Sequence, residues 1–93
     1  MIHFVVHSPS DSAGVAIVEG IEAGQLLNGW VLESNESVSV TVGDAIPIGH
    51  KLALSDIADG ATVIEYGHDI GRAVALIKRG QHLHVHNLKT KRW

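Results

Sequence analysis

Residues 49–89 read GHKLALSDIADGATVIEYGHDIGRAVALIKRGQHLHVHNLK, and the fold turns on how they are parsed. Two segments within them share one pattern: Ile57-Ala58-Asp59-Gly60 with Val63 three residues on, and Ile77-Lys78-Arg79-Gly80 with Leu83. The pattern occurs twice more toward the N-terminus, as Ile46-Pro47-Ile48-Gly49 with Leu52 and as Ile21-Glu22-Ala23-Gly24 with Leu27. An apolar anchor, two turn residues and a glycine free to take positive φ fit a type I turn closed by a left-handed residue, or a single 3₁₀ turn. The apolar residue three positions later returns the chain to the core. Successive anchors lie 25, 11 and 20 residues apart, too irregular for a solenoid. The pattern reads as a local device reused within one compact domain spanning residues 1–93.

Short strands fill the intervals. Residues 2–6 and 14–18 are apolar runs of strand length, the second expected to be fully buried. Residues 26–33 are strand-like, with Gly29 marking a bulge or a close approach, and residues 33–36 form a polar hairpin turn. Residues 37–42 alternate, with Val38, Val40 and Val42 inward and Ser37, Ser39 and Thr41 outward. Residues 51–54, 62–66, 70–76 and 82–86 complete a mostly β fold of short strands, and no segment sustains a helical period over three turns. Trp30 reads as core and Trp93 as an interface anchor.

Composition narrows the function. Ten glycines in 93 residues exceed the average share of about 7% and suit many tight turns. There is no cysteine, so neither a disulfide nor a thiolate metal site is available. The opening apolar run is too short for a signal peptide or membrane span, which leads to the expectation of a cytoplasmic protein. A net charge of −3 argues against nucleic acid as a partner. Residues 1–70 hold all ten acids and one base, Lys51, whereas residues 71–93 hold six bases and no acid. The basic end either folds back over the acidic body or faces an anionic substrate or partner. No phosphate-binding loop, dinucleotide fingerprint or nucleophile arrangement is readable.

The chemistry concentrates in His82-Leu83-His84-Val85-His86. As a strand it would turn three imidazoles to one face and Leu83 and Val85 to the other. Two imidazoles at i and i+2 can ligate one divalent ion, so His84 and His86 are the candidate metal ligands, with room for a water or substrate. His50 follows the glycine of the second turn and suits proton transfer near neutral pH. Beside it, Lys51 adds positive charge. Arg72, just past Gly71, can clamp a carboxylate or sulfonate with its guanidinium fork.

Three motifs in order identify a resemblance. Residues 47–54 (PIGHKLAL), 66–73 (YGHDIGRA) and 84–89 (HVHNLK) resemble the small SAF, or β-clip, domain of the altronate and galactarate dehydratases, and Asp11-Ser12-Ala13-Gly14 is similar to that family's first strand entry. Gly29-Trp30-Val31 and the ending at residues 87–93 look most like the branch of small subunits that belong to sulfolactate sulfo-lyases. The resemblance implies a metal-assisted β-elimination with iron(II) or another divalent metal, held mainly by a large catalytic subunit. Its substrate would be an anionic hydroxy acid, either sulfolactate or a sugar acid. It further implies that His50, His84 and His86 are catalytic and that Lys51, Arg72, Asn87 and Lys89 bind substrate. His82 lies outside the motif and is set aside. The alternatives are a docking module without catalysis and an anion-binding protein acting alone. A single small domain with few acids near its histidines is expected to bind metal weakly and to be inactive by itself.

Overall fold

The structure is a computed structural model that describes residues 1–90, so Trp93, Lys91 and Arg92 lie outside the described residues. Nine strands follow in order among the described residues: β1 Phe4–Val6, β2 Ala13–Ala16, β3 Leu26–Val31, β4 Glu36–Thr41, β5 Lys51–Ala53, β6 Thr62–Glu65, β7 His68–Ala73, β8 His82–Leu83 and β9 Leu88–Lys89. No helical turn, α or 3₁₀, occurs among the described residues. One six-stranded sheet runs β4-β3-β1-β2-β5-β8 and a three-stranded sheet runs β6-β7-β9. The β1–β3 pair is parallel and the others are antiparallel.

All four Ile-x-x-Gly segments are turns. Gly24, Gly49, Gly60 and Gly80 have φ of 88°, 82°, 86° and 88°. The residue after each glycine donates its N–H to the carbonyl of the residue after the isoleucine: Gln25 to Glu22 (3.2 Å), His50 to Pro47 (3.0 Å), Ala61 to Ala58 (2.9 Å) and Gln81 to Lys78 (3.0 Å). The glycine is therefore the third residue of the turn rather than the residue that closes it. With positive φ there, the turn is type II, not the expected type I.

The turns work in reciprocal pairs. Ile21 bridges Ile46, and Ile57 bridges Ile77. Gly24 N–H donates to Val42 O (2.7 Å), just ahead of Ile46, while Gly49 N–H donates to Ala16 O (2.8 Å), just ahead of Ile21. The second pair repeats this, with Gly60 N–H to Ala73 O and Gly80 N–H to Ala53 O, both 2.8 Å. Each pair closes its own apolar cluster. Ile21 and Ile46 pack with Phe4, Leu27, Val40 and Leu52, whereas Ile57 and Ile77 pack with Val63, Leu83 and three alanines, Ala13, Ala53 and Ala73. Burial of each large aliphatic side chain contributes about 1.5–3 kcal/mol.

Alternation along β4 is as expected, with Val40 and Val42 buried, Val38 half-buried, and Ser37, Ser39 and Thr41 exposed. Gly29 is a close approach with no bulge: a Cβ there would overlap the Phe4 ring, which also lies against Gly14. Two expectations change. Trp30 is half-buried, because Leu27, Gly29 and Val31 take the inner face of β3 and leave Trp30 on the other. Ile17 is exposed, because β2 ends at Ala16 where the chain leaves the sheet.

Strands β6 and β7 form a two-residue hairpin through Tyr66 (φ 55°) and Gly67 (φ 70°), and two successive positive φ values mark a type I′ turn. Asp11, which is buried, holds this tip by accepting the N–H groups of Tyr66 and Gly67 at 3.0 Å each. The motif residue Asp11 thus joins the two sheets.

Candidate functional site

The imidazoles gather where β5 meets β8. Their register pairs Lys51 with Leu83 and Leu52 with His82, so the same ladder carried one step outward sets His50 across from His84. The rings follow that register. His50 and His84 centroids are 4.5 Å apart, His50 and His82 5.0 Å, and His82 and His84 5.4 Å, with planes within 30° of one another. His50 Nδ1 and His82 Nε2 are 2.9 Å apart and share one hydrogen bond. One ligating nitrogen from each of His50, His82 and His84 lies within 4.8 Å of the others.

Backbone bonds hold these residues in place. His50 donates its N–H to Pro47 O and accepts from Ala16 N–H at 2.9 Å, which pins it on both sides. The His82 N–H donates to Asp44 Oδ2 at 3.0 Å. Asn87, only 7% exposed, spends its side chain on the same segment. Its Oδ1 accepts from His84 N–H at 3.0 Å and its Nδ2 donates to His82 O at 2.8 Å. Asn87 is therefore a positioning residue in this geometry.

That amide also explains a departure from the sequence reading. The expected strand over residues 82–86 ends at Leu83, and residues 84–87 form a turn, with Asn87 and Leu88 N–H both donating to His84 O. Leu83 is buried as expected, but Val85 is 66% exposed because it rides the turn. His86 sits on the same turn, its ring 5.7 Å from His82 and tilted by 49°. So His84 and His86 do not share a strand face. The imidazole beside His50 and His84 is His82, whose i, i+2 spacing to His84 was the signal in the sequence.

Burial lowers the pKa of His82 below the usual histidine value, and the neighbouring imidazoles His50, His84 and His86 lower it further, against a smaller opposing effect of Asp44. The shift favours the uncharged ring, the form that can accept a hydrogen bond or ligate a metal ion.

Next to His84 opens a pocket of about 290 Å³, lined by Lys51, Leu83, His84 and Val85 and, from the small sheet, Ile70 and Leu88. Lys51 Nζ lies 3.7 Å from Glu65 Oε2 at its edge. The structure thus brings His50 to the cluster, while Lys51 lines the pocket beside His84 together with Leu83, its partner in the ladder. Arg72 and Lys89 are placed elsewhere: they face each other across β7 and β9, on the side opposite the neighbouring pair Ala73 and Leu88. Since Ala73 and Leu88 point to the core, the two cations project from the outer face of the small sheet. Of the other histidines, His7 stacks on Tyr66 at 4.8 Å, and His3 Nδ1 accepts the Asn28 N–H at 3.0 Å.

The profile of the altronate/galactarate dehydratase SAF domain matches residues 2–91. The chain belongs to this family. It is 58% identical to the (2R)-sulfolactate sulfo-lyase subunit alpha of Chromohalobacter salexigens, over 99% of this chain and 98% of that one. The protein of the same description from Paracoccus pantotrophus is 48% identical over 68% of this chain and 94% of its own. Altronate dehydratase of Escherichia coli is 40% identical over 86% of this chain but only 15% of its own length, so in that enzyme the SAF domain is a small part of a longer protein.

Proposed function

We propose that the chain is the small subunit of a (2R)-3-sulfolactate sulfo-lyase, forming pyruvate and sulfite at an active site shared with a large subunit. The observation that carries this reading is the 58% identity to a sulfo-lyase subunit alpha along nearly the full length of both chains. In the reaction a base takes the C2 proton, the C–H electron pair forms the C2=C3 bond, sulfite leaves with the C3–S electron pair, and the resulting enol tautomerises to pyruvate. A divalent metal, iron(II) or another, would stabilise the negative charge that develops beside the carboxylate. We assign most of its ligands to the large subunit.

This chain's contribution is the imidazole cluster, the positive charge of Lys51 and the open pocket that Lys51 and His84 line. His50 and His84 are placed to move a proton or orient an oxyanion, and their neutral neighbour His82 hydrogen-bonds His50. Arg72 and Lys89 offer two cations from another face, which suits an acidic stretch of the partner or a substrate held between subunits. Ligand sites favour such junctions. Alone, the chain is inactive on this reading.

The test is to co-express the chain with the large subunit and assay sulfite release from (2R)-3-sulfolactate. Activity that needs both chains and drops at least ~100-fold in His50→Gln or His84→Gln, with the complex still assembled, supports the shared site. Turnover of altronate or galactarate in place of sulfolactate would make it a sugar-acid dehydratase subunit, as the E. coli relative suggests. Unchanged turnover in both variants would leave it a docking module.

A further inference from the structure

We propose that His50, His82 and His84 bind one divalent transition-metal ion on this chain by itself, with His86 outside the ligand set. The sequence had pointed to His84 and His86, and to weak binding. Tertiary structure supplies a different trio and better placement. Two nitrogens bound to one ion at about 2.0–2.1 Å lie roughly 3.0–3.4 Å apart. His50 Nδ1 and His82 Nε2, at 2.9 Å, need open by only a few tenths of an ångström to admit the ion. The third nitrogen starts within 4.8 Å and must swing inward. His84 can do so because it is exposed at the bend after β8, where its ring rests on His50 and His82 and is open to solvent on the outside.

The scaffold favours this set. His50 and His82 are held through their backbones by Pro47, Ala16, Asp44 and Asn87, so the two half-buried ligands lose little freedom on binding. His84 is tied to the same clamp through its N–H, which donates to the Asn87 side-chain Oδ1. The ring of His86 stands tilted on the turn, and its nitrogen is not among the converging atoms.

Ligand chemistry sets the class of ion. Three neutral imidazoles with no carboxylate suit Zn²⁺, Co²⁺, Ni²⁺ or Fe²⁺, not the hard oxygen-seeking Mg²⁺ and Ca²⁺. A set of three histidines also leaves a coordination position open. His84 is solvent-exposed and also lines the pocket beside Lys51, so a water can reach the ion from the His84 side. The inference goes beyond the sulfo-lyase reading and does not depend on it, since it concerns the chain without partner or substrate.

The experiment uses the full chain, stripped of metal, titrated with Co²⁺ by visible absorption and with Zn²⁺ by calorimetry. One equivalent should bind, unaffected by millimolar Mg²⁺. His82→Gln and His84→Gln should each weaken binding by at least ~30-fold, since even partners one shell out cost 10–100-fold, while His86→Gln changes it less than ~3-fold. His82→Cys controls for misfolding: it should keep a Co²⁺ site and add a thiolate-to-cobalt charge-transfer band. Binding no tighter in wild type than in His82→Gln would overturn the proposal. So would loss in His86→Gln with His82→Gln unaffected, or a His82→Cys protein that binds Co²⁺ without the thiolate band. Sulfite release is not the readout, so failure of the lyase reading leaves this result standing.

Discussion

The second and fourth turns share a backbone and a glycine, and they part at the residue that closes them. Each is type II with glycine at the third position, and each is followed by a residue whose N–H closes the turn. In the fourth that residue is Gln81, and its Oε1 folds back to accept the Lys78 N–H at 2.6 Å. The first turn does the same with Gln25, which accepts from Glu22 N–H at 3.3 Å. In the second turn the position holds His50, which reaches outward to His82. A position that stabilises the first and fourth turns is here given to a site. The backbone that fixes the turn also fixes the imidazole.

The glycines give the sharpest contrast between turns. A Cβ at Gly80 would run into the Thr41 carbonyl, whereas one at Gly24, Gly49 or Gly60 would meet open space. Gly24→Ala should therefore cost about 1–2 kcal/mol for the left-handed conformation alone. Gly80→Ala adds a backbone collision and should cost about 3 kcal/mol or more, read as a drop in the urea midpoint. Equal losses at the two positions would mean that the fourth turn is not wedged against β4.

Asn87→Ala comes next. It strands the His84 N–H and the His82 carbonyl in a half-buried segment, at about 1–3 kcal/mol. The mutant should also lose the His50–His82 hydrogen bond, visible as a changed imidazole ¹⁵N tautomer pattern. Retention of both stability and tautomers would remove Asn87 from the positioning role.

The pH dependence of stability separates the His82 environment from an ordinary surface histidine. Its pKa is lower folded than unfolded, so the unfolded chain binds the proton first as pH falls. Stability is complete above the unfolded value near 6.5 and declines as pH drops through it toward the folded pKa. Thermal melts between pH 7.5 and 5 should fall less steeply for His82→Gln than for wild type. Parallel curves would contradict the shift.

The smallest effect tests the role of the glutamines. Gln81→Ala should cost about 0.5–1 kcal/mol, and Gln25→Ala less, because its bond is longer. A loss at Gln25 exceeding that at Gln81 would break the proposed order.

What was legible without coordinates was local. The Ile-x-x-Gly spacing marked four turns because only glycine takes positive φ at no steric cost, and valine-serine alternation marked β4 because its period is that of a strand. The i, i+2 histidines were visible too, but which of them meet was not. The pattern His82 to His86 is strand-like in every residue, and the strand stops where the Asn87 amide and the N–H groups of Asn87 and Leu88 bond the backbone of His82 and His84. Turn type was hidden for a similar reason, since it depends on which carbonyl the next N–H finds.

By itself, then, the sequence determined a mostly β chain, the positions of its turns, its family and the segment that carries the imidazoles. Tertiary structure alone decided that the turns pair reciprocally around two cores, that Arg72 and Lys89 leave the histidine side, and that His50 joins His82 and His84. Periodicity and glycine act within a few residues and survive in the string of letters. The meeting of His50 with His82 spans 32 positions and is set by the register of β5 on β8, which exists only once both strands have folded onto their cores.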